Sequence, residues 1–323
     1  MKLGFTTSFP VEVAFAANYI PLDMNNIFIT GKNLEYVRYA EDCGFPRNIC
    51  SWIKGMYGVT QIDNIKKVLA VIQGDCSNAH SLMSVLRSKG IDTIPFSFPA
   101  SRDKNDLNRE ITKLEMRLGV KREQTLEVKQ QLDMIRRKLI HLDMLTYQEC
   151  KVSGEENHLW LVNSSDFFGN PDQFSSDLES FLNKTETRKK IAYDFRIAYL
   201  GVPPIFTDLY EFLSENRTHV VFNEIQRQFA MPYLTDDIVE QYHRYTYPYS
   251  IYERLDDIIP ELKQRKVEAV ICYSQAFCHR QIDNILIKDK LGLPILFLEG
   301  DQPGPLDART KLRIESFLDM LRY

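Results

Sequence analysis

The feature that most constrains this chain is a series of short runs rich in Val and Ile: Val68 to Ile72, Arg196 to Leu200, His219 to Phe222, Val267 to Ile271 and Ile295 to Leu298. They are set among stretches whose apolar residues recur at helical spacing. Runs this brief, several of them stopping at Gly or Pro, read as strands rather than buried helices. Alternation of the two kinds of segment predicts an α/β fold with parallel sheets. At 323 residues the chain is long enough for two domains, each burying its own apolar core.

Between about Lys104 and Leu145 the texture changes. Leu107, Ile111, Leu114 and Leu118, then Val128, Leu132, Ile135, Leu139 and Leu142, follow the three-and-four spacing of amphipathic helices, with Gly119 between two of them. The reading is a helical arm over about residues 102–147, its charged positions forming a solvated face, packed on a domain or on another subunit. Val152 to Pro171 is rich in Gly, Ser, Asn and Asp and reads as a turn-filled connection. The expected division is therefore 1–150, with the arm, and 151–323. No internal repeat is apparent.

A formal net charge of -4 gives no clustered excess of Lys and Arg, so no nucleic-acid partner is expected. Glu12 interrupts the apolar run from Val11 to Ala17, and no stretch approaches a membrane span. These point to a cytoplasmic protein with no membrane association. In a reducing compartment the six cysteines are free thiols or metal ligands rather than a disulfide framework.

Three of those cysteines occupy positions suited to thiolate chemistry. Cys76 follows the Val68 to Ile72 strand through Gln73, Gly74 and Asp75, and a helical pattern begins at Ser77. A helix N-terminus lowers a thiol's pKa, and open α/β sheets gather ligands at the carboxyl ends of their strands. Cys278 runs off the end of the Val267 to Ile271 strand in the same way. Cys50 lies in Phe45-Pro46-Arg47-Asn48-Ile49-Cys50-Ser51-Trp52, where Pro46 and Asn48 could open a short helix. Taken alone the spacing is weak: there is no Cys-x-x-Cys, and the separations fit no compact zinc or ferredoxin motif. Cysteine is also among the most buried residue types and needs no function.

Several ordered blocks carry more. Phe45 to Gly55, Gly74-Asp75-Cys76-Ser77-Asn78, Gly201-Val202-Pro203-Pro204-Ile205, Phe277-Cys278-His279-Arg280-Gln281-Ile282, Leu298-Glu299-Gly300-Asp301 and Arg309 to Glu315 together resemble the D-component proteins of 2-hydroxyacyl-CoA dehydratases and benzoyl-CoA reductases, and within them the double-cubane cluster proteins. The resemblance runs nearly end to end. It implies two Rossmann-like, flavodoxin-like domains with a [4Fe-4S] cubane in the cleft between them, on Cys50, Cys76 and Cys278, with one iron lacking a cysteine ligand. That cubane could be half of an [8Fe-9S] double cubane.

His279, beside a ligand cysteine, is a candidate proton or hydrogen-bond donor near the cluster. Glu299 and Asp301, at a strand end, are candidate acid/base carboxylates or plain caps. Cys43, Cys150 and Cys272, like Arg196 and Arg227, read as structural. No Gly-x-x-x-x-Gly-Lys-Ser/Thr loop and no Gly-x-Gly-x-x-Gly occurs, so any ATP requirement falls to a partner. The resemblance implies a component that takes low-potential electrons from a separate ATP-hydrolysing activase, itself carrying an iron–sulfur cluster, and passes them to a small-molecule substrate. A homodimer is expected, with the arm as its surface. The rival readings are an (R)-2-hydroxyacyl-CoA dehydratase subunit and a non-catalytic cluster carrier.

Overall fold

A computed structural model describes residues 1–322. Eight strands form two four-stranded sheets, every neighbouring pair parallel. The first contains β1 (Lys2–Phe5), β2 (Ile20–Asp23), β3 (Lys67–Gln73) and β4 (Asp92–Ser97) in the order β2-β1-β3-β4. The second contains β5 (Phe195–Gly201), β6 (Thr218–Asn223), β7 (Ala269–Gln275) and β8 (Ile295–Gly300) in the order β6-β5-β7-β8. The expected pair of Rossmann-like units is present, and both halves use one plan.

That shared plan corrects the absence of a repeat in the sequence reading. In the first half, Cys50 caps the Ser51–Ile62 helix, which leads into β3; β3 ends at Gln73 and Cys76 then caps the Ser77–Ser88 helix. In the second, Ser250 caps the Ile251–Gln264 helix, which leads into β7; β7 ends at Gln275 and Cys278 then caps a short helical turn, His279–Gln281. The repeat is one of topology and of a few stations, Gln73 and Gln275 among them, with little periodic sequence to betray it.

Three strands escaped the sequence reading. β1 and β2 have four residues each, too short to show alternation. β4 contains Pro95, which argues against a central strand, yet β4 is a sheet edge, where the missing N–H leaves no ladder bond unmade.

The arm is two helices, Lys104–Leu118 and Arg122–Tyr147, with Gly119 between them in the left-handed conformation at φ 71°. Its stripe of Leu107, Ile111, Leu114, Leu132, Ile135, Leu139 and Leu142 joins one core with Leu3, Phe5, Leu69 and Val71 of the first sheet. Most of the arm's apolar stripe is thus consumed within the chain, while Met116, Met134 and Met144 remain exposed on it. Glu12, which interrupts the apolar N-terminal run, is fully buried in this layer, paired with Arg136 at 2.7 Å and accepting from Tyr242 Oη at 2.7 Å.

The span 152–171 is helical where turns were expected. Ser153 and Glu156 form a capping box that opens the Gly154–Asn163 helix, and Asn170 with Pro171 opens the Pro171–Glu186 helix. The residues taken for turns are largely helix caps.

Candidate functional site

Parallel sheets leave a crevice at the carboxyl ends of their strands where the chain leaves in opposite directions from neighbouring strands, here between β1 and β3 and between β5 and β7. The two crevices contribute to one cleft, about 1100 Å³ of empty space when the solvent at its open mouth is counted in. Thr6 and Thr7 follow β1, Asp75 and Cys76 follow β3, Val202 to Pro204 follow β5, and Cys278 to Arg280 follow β7; all line it. Cys50 completes the set from the start of the Ser51–Ile62 helix.

Backbone geometry at the strand ends is specific. Gly201 ends β5 at φ 102°, and a Cβ there would lie 2.0 Å from the Tyr273 carbonyl oxygen, so β5 can run tightly beside β7 only without a side chain. Gly74, at φ 91°, lies where a Cβ would meet Phe98 and Pro248, both at 2.7 Å. Beneath Gly201, the buried Glu224 accepts its N–H at 2.9 Å and takes Arg254 in a fork at 2.7 and 3.0 Å. Tyr199 Oη donates to the Val202 carbonyl at 2.6 Å, which fixes the loop after β5.

All three thiols are partly buried helix-cap residues, Cys76 and Cys278 on extended backbone, and none closes a cap hydrogen bond through its sulfur. Burial pushes Cys50 and Cys76 each up to about 12 and raises Cys278 as well. Backbone N–H groups oppose that rise: Ile53 and Trp52 at Cys50, Ala79 and Asn78 at Cys76, Arg280 at Cys278. Charge on Cys278 raises Cys50, and charge on Cys50 raises Cys76, so the three are electrostatic neighbours across the cleft. Among the described residues, no group of three or more His, Cys, Asp or Glu side chains forms a site for a single metal ion.

Around the thiols, Arg280 lies over the Tyr247 ring at 4.7 Å and donates to the Tyr247 carbonyl at 2.6 Å, while its charge bears on Asp75. Burial lifts Asp75 to about 6, against the Cys76 N–H and Arg280. His279 is on the cleft wall, as its place beside Cys278 suggested. Glu299 and Asp301 are not in the lining. Both are exposed; Glu299 accepts from Gln281 Nε2 at 2.7 Å, and the Asp301 carbonyl accepts from Gln275 Nε2 at 2.8 Å. They brace the Cys278 turn from behind.

The opposite wall was missed in the sequence. It comprises Asn25, Asn26 and Thr30 from the Met24–Thr30 helix and His158, Leu159 and Asn163 from the Gly154–Asn163 helix. His158 stacks on Tyr210, with 4.8 Å between ring centroids, and its Nδ1 lies 3.1 Å from Gln226 Nε2. Burial lowers its pKa to about 4, so the ring is neutral at pH 7. The Ser153 to Glu156 capping box was the available signal for the helix that delivers it.

A profile of the 2-hydroxyglutaryl-CoA dehydratase D-component family matches residues 6–321, a span that takes in every strand but β1 and every residue of the cleft. The chain belongs to that family. A search of curated proteins finds no match. As a D-component it is a dehydratase-type component whose family implies a separate activator. Among the described residues, no helix of this D-component is long and apolar enough to cross a membrane.

Proposed function

We propose that this D-component carries a cubane iron–sulfur cluster on Cys50, Cys76 and Cys278, takes low-potential electrons from its activator ATPase, and passes them to a small substrate in the cleft. The observation that carries the reading is the meeting of three thiols, two from one α/β half and one from the other, in the lining of one cleft. The donor set suits such a group. Three mutually repelling, partly buried thiols ionise together only if a strongly positive partner offsets burial, as coordinated iron does. Backbone N–H groups already bear on each sulfur, and such donors tune a cluster's potential. When bound, the cluster supplies one-electron chemistry at low potential.

The chain's own residues then hold and exclude. Ile53, Met56 and Trp52 form an apolar floor beside Cys50. Arg280 places a fixed positive charge beside the thiolates, and His279 is the candidate proton donor at that wall. Asn25, Asn26, Asn163 and neutral His158 present hydrogen-bonding groups to a substrate from the far wall. Glu299 and Asp301 position the Cys278 turn.

A second reading, an (R)-2-hydroxyacyl-CoA dehydratase subunit, is favoured by the polar side chains that line the cleft beyond the thiols. For the homodimer, Phe277, Ile282 and Ile285 are exposed by 53%, 72% and 64% close in sequence to Cys278 and offer an unpaired apolar surface besides the exposed Met116 and Met134 of the arm. A dimer joined there brings two cubanes close, each half of a double cubane.

Iron and sulfide analysis of anaerobically purified protein tests the proposal. Cys50→Ala, Cys76→Ala and Cys278→Ala should each lose stable iron, and Cys150→Ala should keep it. Full iron in the three single variants refutes the assignment. A cluster whose electron paramagnetic resonance signal shifts on titration with an acyl-CoA selects the second reading.

A further inference from the structure

At the opposite edge of the second sheet lies a cluster that the cleft does not use. Cys150 follows the arm with φ 53°, in the left-handed region, and is 6% exposed. Arg196 and His219 occupy paired positions near the amino ends of β5 and β6. Arg196 Nη1 lies 3.4 Å from Cys150 Sγ, and the sulfur lies 3.8 Å from Tyr193 Oη. The Tyr193 ring stacks on His219 at 5.4 Å between centroids. His219 Nε2 is 2.9 Å from the Thr146 carbonyl, which can only accept, so Nε2 carries the hydrogen and Nδ1 keeps its lone pair. The guanidinium set against the sulfur, the Tyr193 hydroxyl that accepts from the thiol, and an imidazole with a free lone pair stacked on that tyrosine together form an activated-nucleophile arrangement. Nearby charges are otherwise spent: Glu149 and Lys151 pair at 3.0 Å, and Glu268 accepts the Arg196 backbone N–H at 2.7 Å.

We propose that Cys150, served by His219 and Arg196, is a reactive thiol whose co-reactant is a small hydroperoxide. Its sulfur attacks the terminal peroxide oxygen; an S–O bond forms as the O–O bond breaks. Sulfur is oxidised by two electrons to the sulfenic acid and the peroxide is reduced. The proton that left the thiol for His219 protonates the departing oxygen, giving water or an alcohol. Arg196 holds the thiolate, and residues 188–193, which have no regular structure, pass over it with the Ile191 N–H on the Cys150 carbonyl at 2.7 Å.

His219 is the largest influence drawing the Cys150 thiol down, to about 7, against burial. In the test, anaerobically purified full-length protein competes with N-acetylcysteine for limiting iodoacetamide from pH 6 to pH 9, and peptide mass spectrometry reads Cys150. An ordinary thiol titrates at about 8.5, so the rate ratio of Cys150 to the reference should fall about twentyfold across that range, whatever its absolute access. His219→Gln should flatten the ratio. A flat or rising ratio in the unaltered protein overturns the proposal even if that variant does not fold. In a parallel arm, equimolar hydrogen peroxide with dimedone should label Cys150; a falling ratio without that adduct overturns the hydroperoxide assignment.

Discussion

Removing the Arg254 side chain probes how the cleft is held. Arg254 and Glu224 are 2% and 1% exposed, joined in a fork, and Glu224 also holds the Gly201 N–H that ends β5. Burial works against the Arg254 charge, and Glu224, with smaller help from Cys272 and Asp283, more than offsets it. Arg254→Met keeps much of the volume but leaves the carboxylate buried with one backbone donor. Breaking a buried pair on one side costs about 3–5 kcal/mol. At about 2–4 °C per kcal/mol for a unit of this size, calorimetry should show the transition lowered by roughly 6–20 °C. Adding Glu224→Gln removes the stranded charge while still accepting the Gly201 N–H, so the double variant should recover most of the loss. A single-variant loss below about 1 kcal/mol, or no recovery in the double, refutes the account of Glu224 as an ionised tie between the strand end and the Ile251–Gln264 helix.

Gly201→Ala should cost more than an ordinary Gly→Ala change, about 2–4 kcal/mol from positive φ and the clash with the Tyr273 carbonyl, read by urea denaturation. Burial and the neighbouring Asp23 raise Asp166 to about 7. The folded state therefore holds a proton that the unfolded state releases near pH 4, and stability is lost as pH rises towards 7, by at most about 4 kcal/mol. Relative to the parent, Asp166→Asn should look better at pH 8 than at pH 4; a pH-independent difference refutes the buried proton. Sedimentation of anaerobic protein should show a dimer that Ile282→Asp with Ile285→Asp dissociates, and an unchanged dimer removes the cleft-side surface from consideration.

The parts legible in the sequence were those whose signal is local. β3, β5, β6, β7 and β8 were visible because buried parallel strands are continuous apolar runs. Each candidate thiol was legible from its own strand end or helix start. What links them was not: that Cys50 and Cys278 share a cleft depends on sheet order and on the docking of two halves, which no local window carries. The polar wall was lost for a different reason. Ser, Asn and Asp favour both turns and N-caps, and around Ser153 and Asn170 the caps prevail. Glu12 and Arg136 were opaque as well, since neither charge announces a buried partner more than a hundred positions away.

The duplicated plan also has a mechanical consequence. Cys50 and Cys76 belong to the first half and pack against one core that also takes in Ile197, Tyr199, Ile271 and Tyr273 of the second sheet, whereas Cys278 follows β7 of the second half. The second half has Ser250 at the station that Cys50 fills in the first, and Ser250 faces solvent, its hydroxyl bonded to Glu253. The cleft is therefore a jaw with two teeth on one side and one on the other. Any displacement of Cys278 alters two edges of the thiol triangle and spares the third, so the geometry of the set is most sensitive to the position of that one thiol.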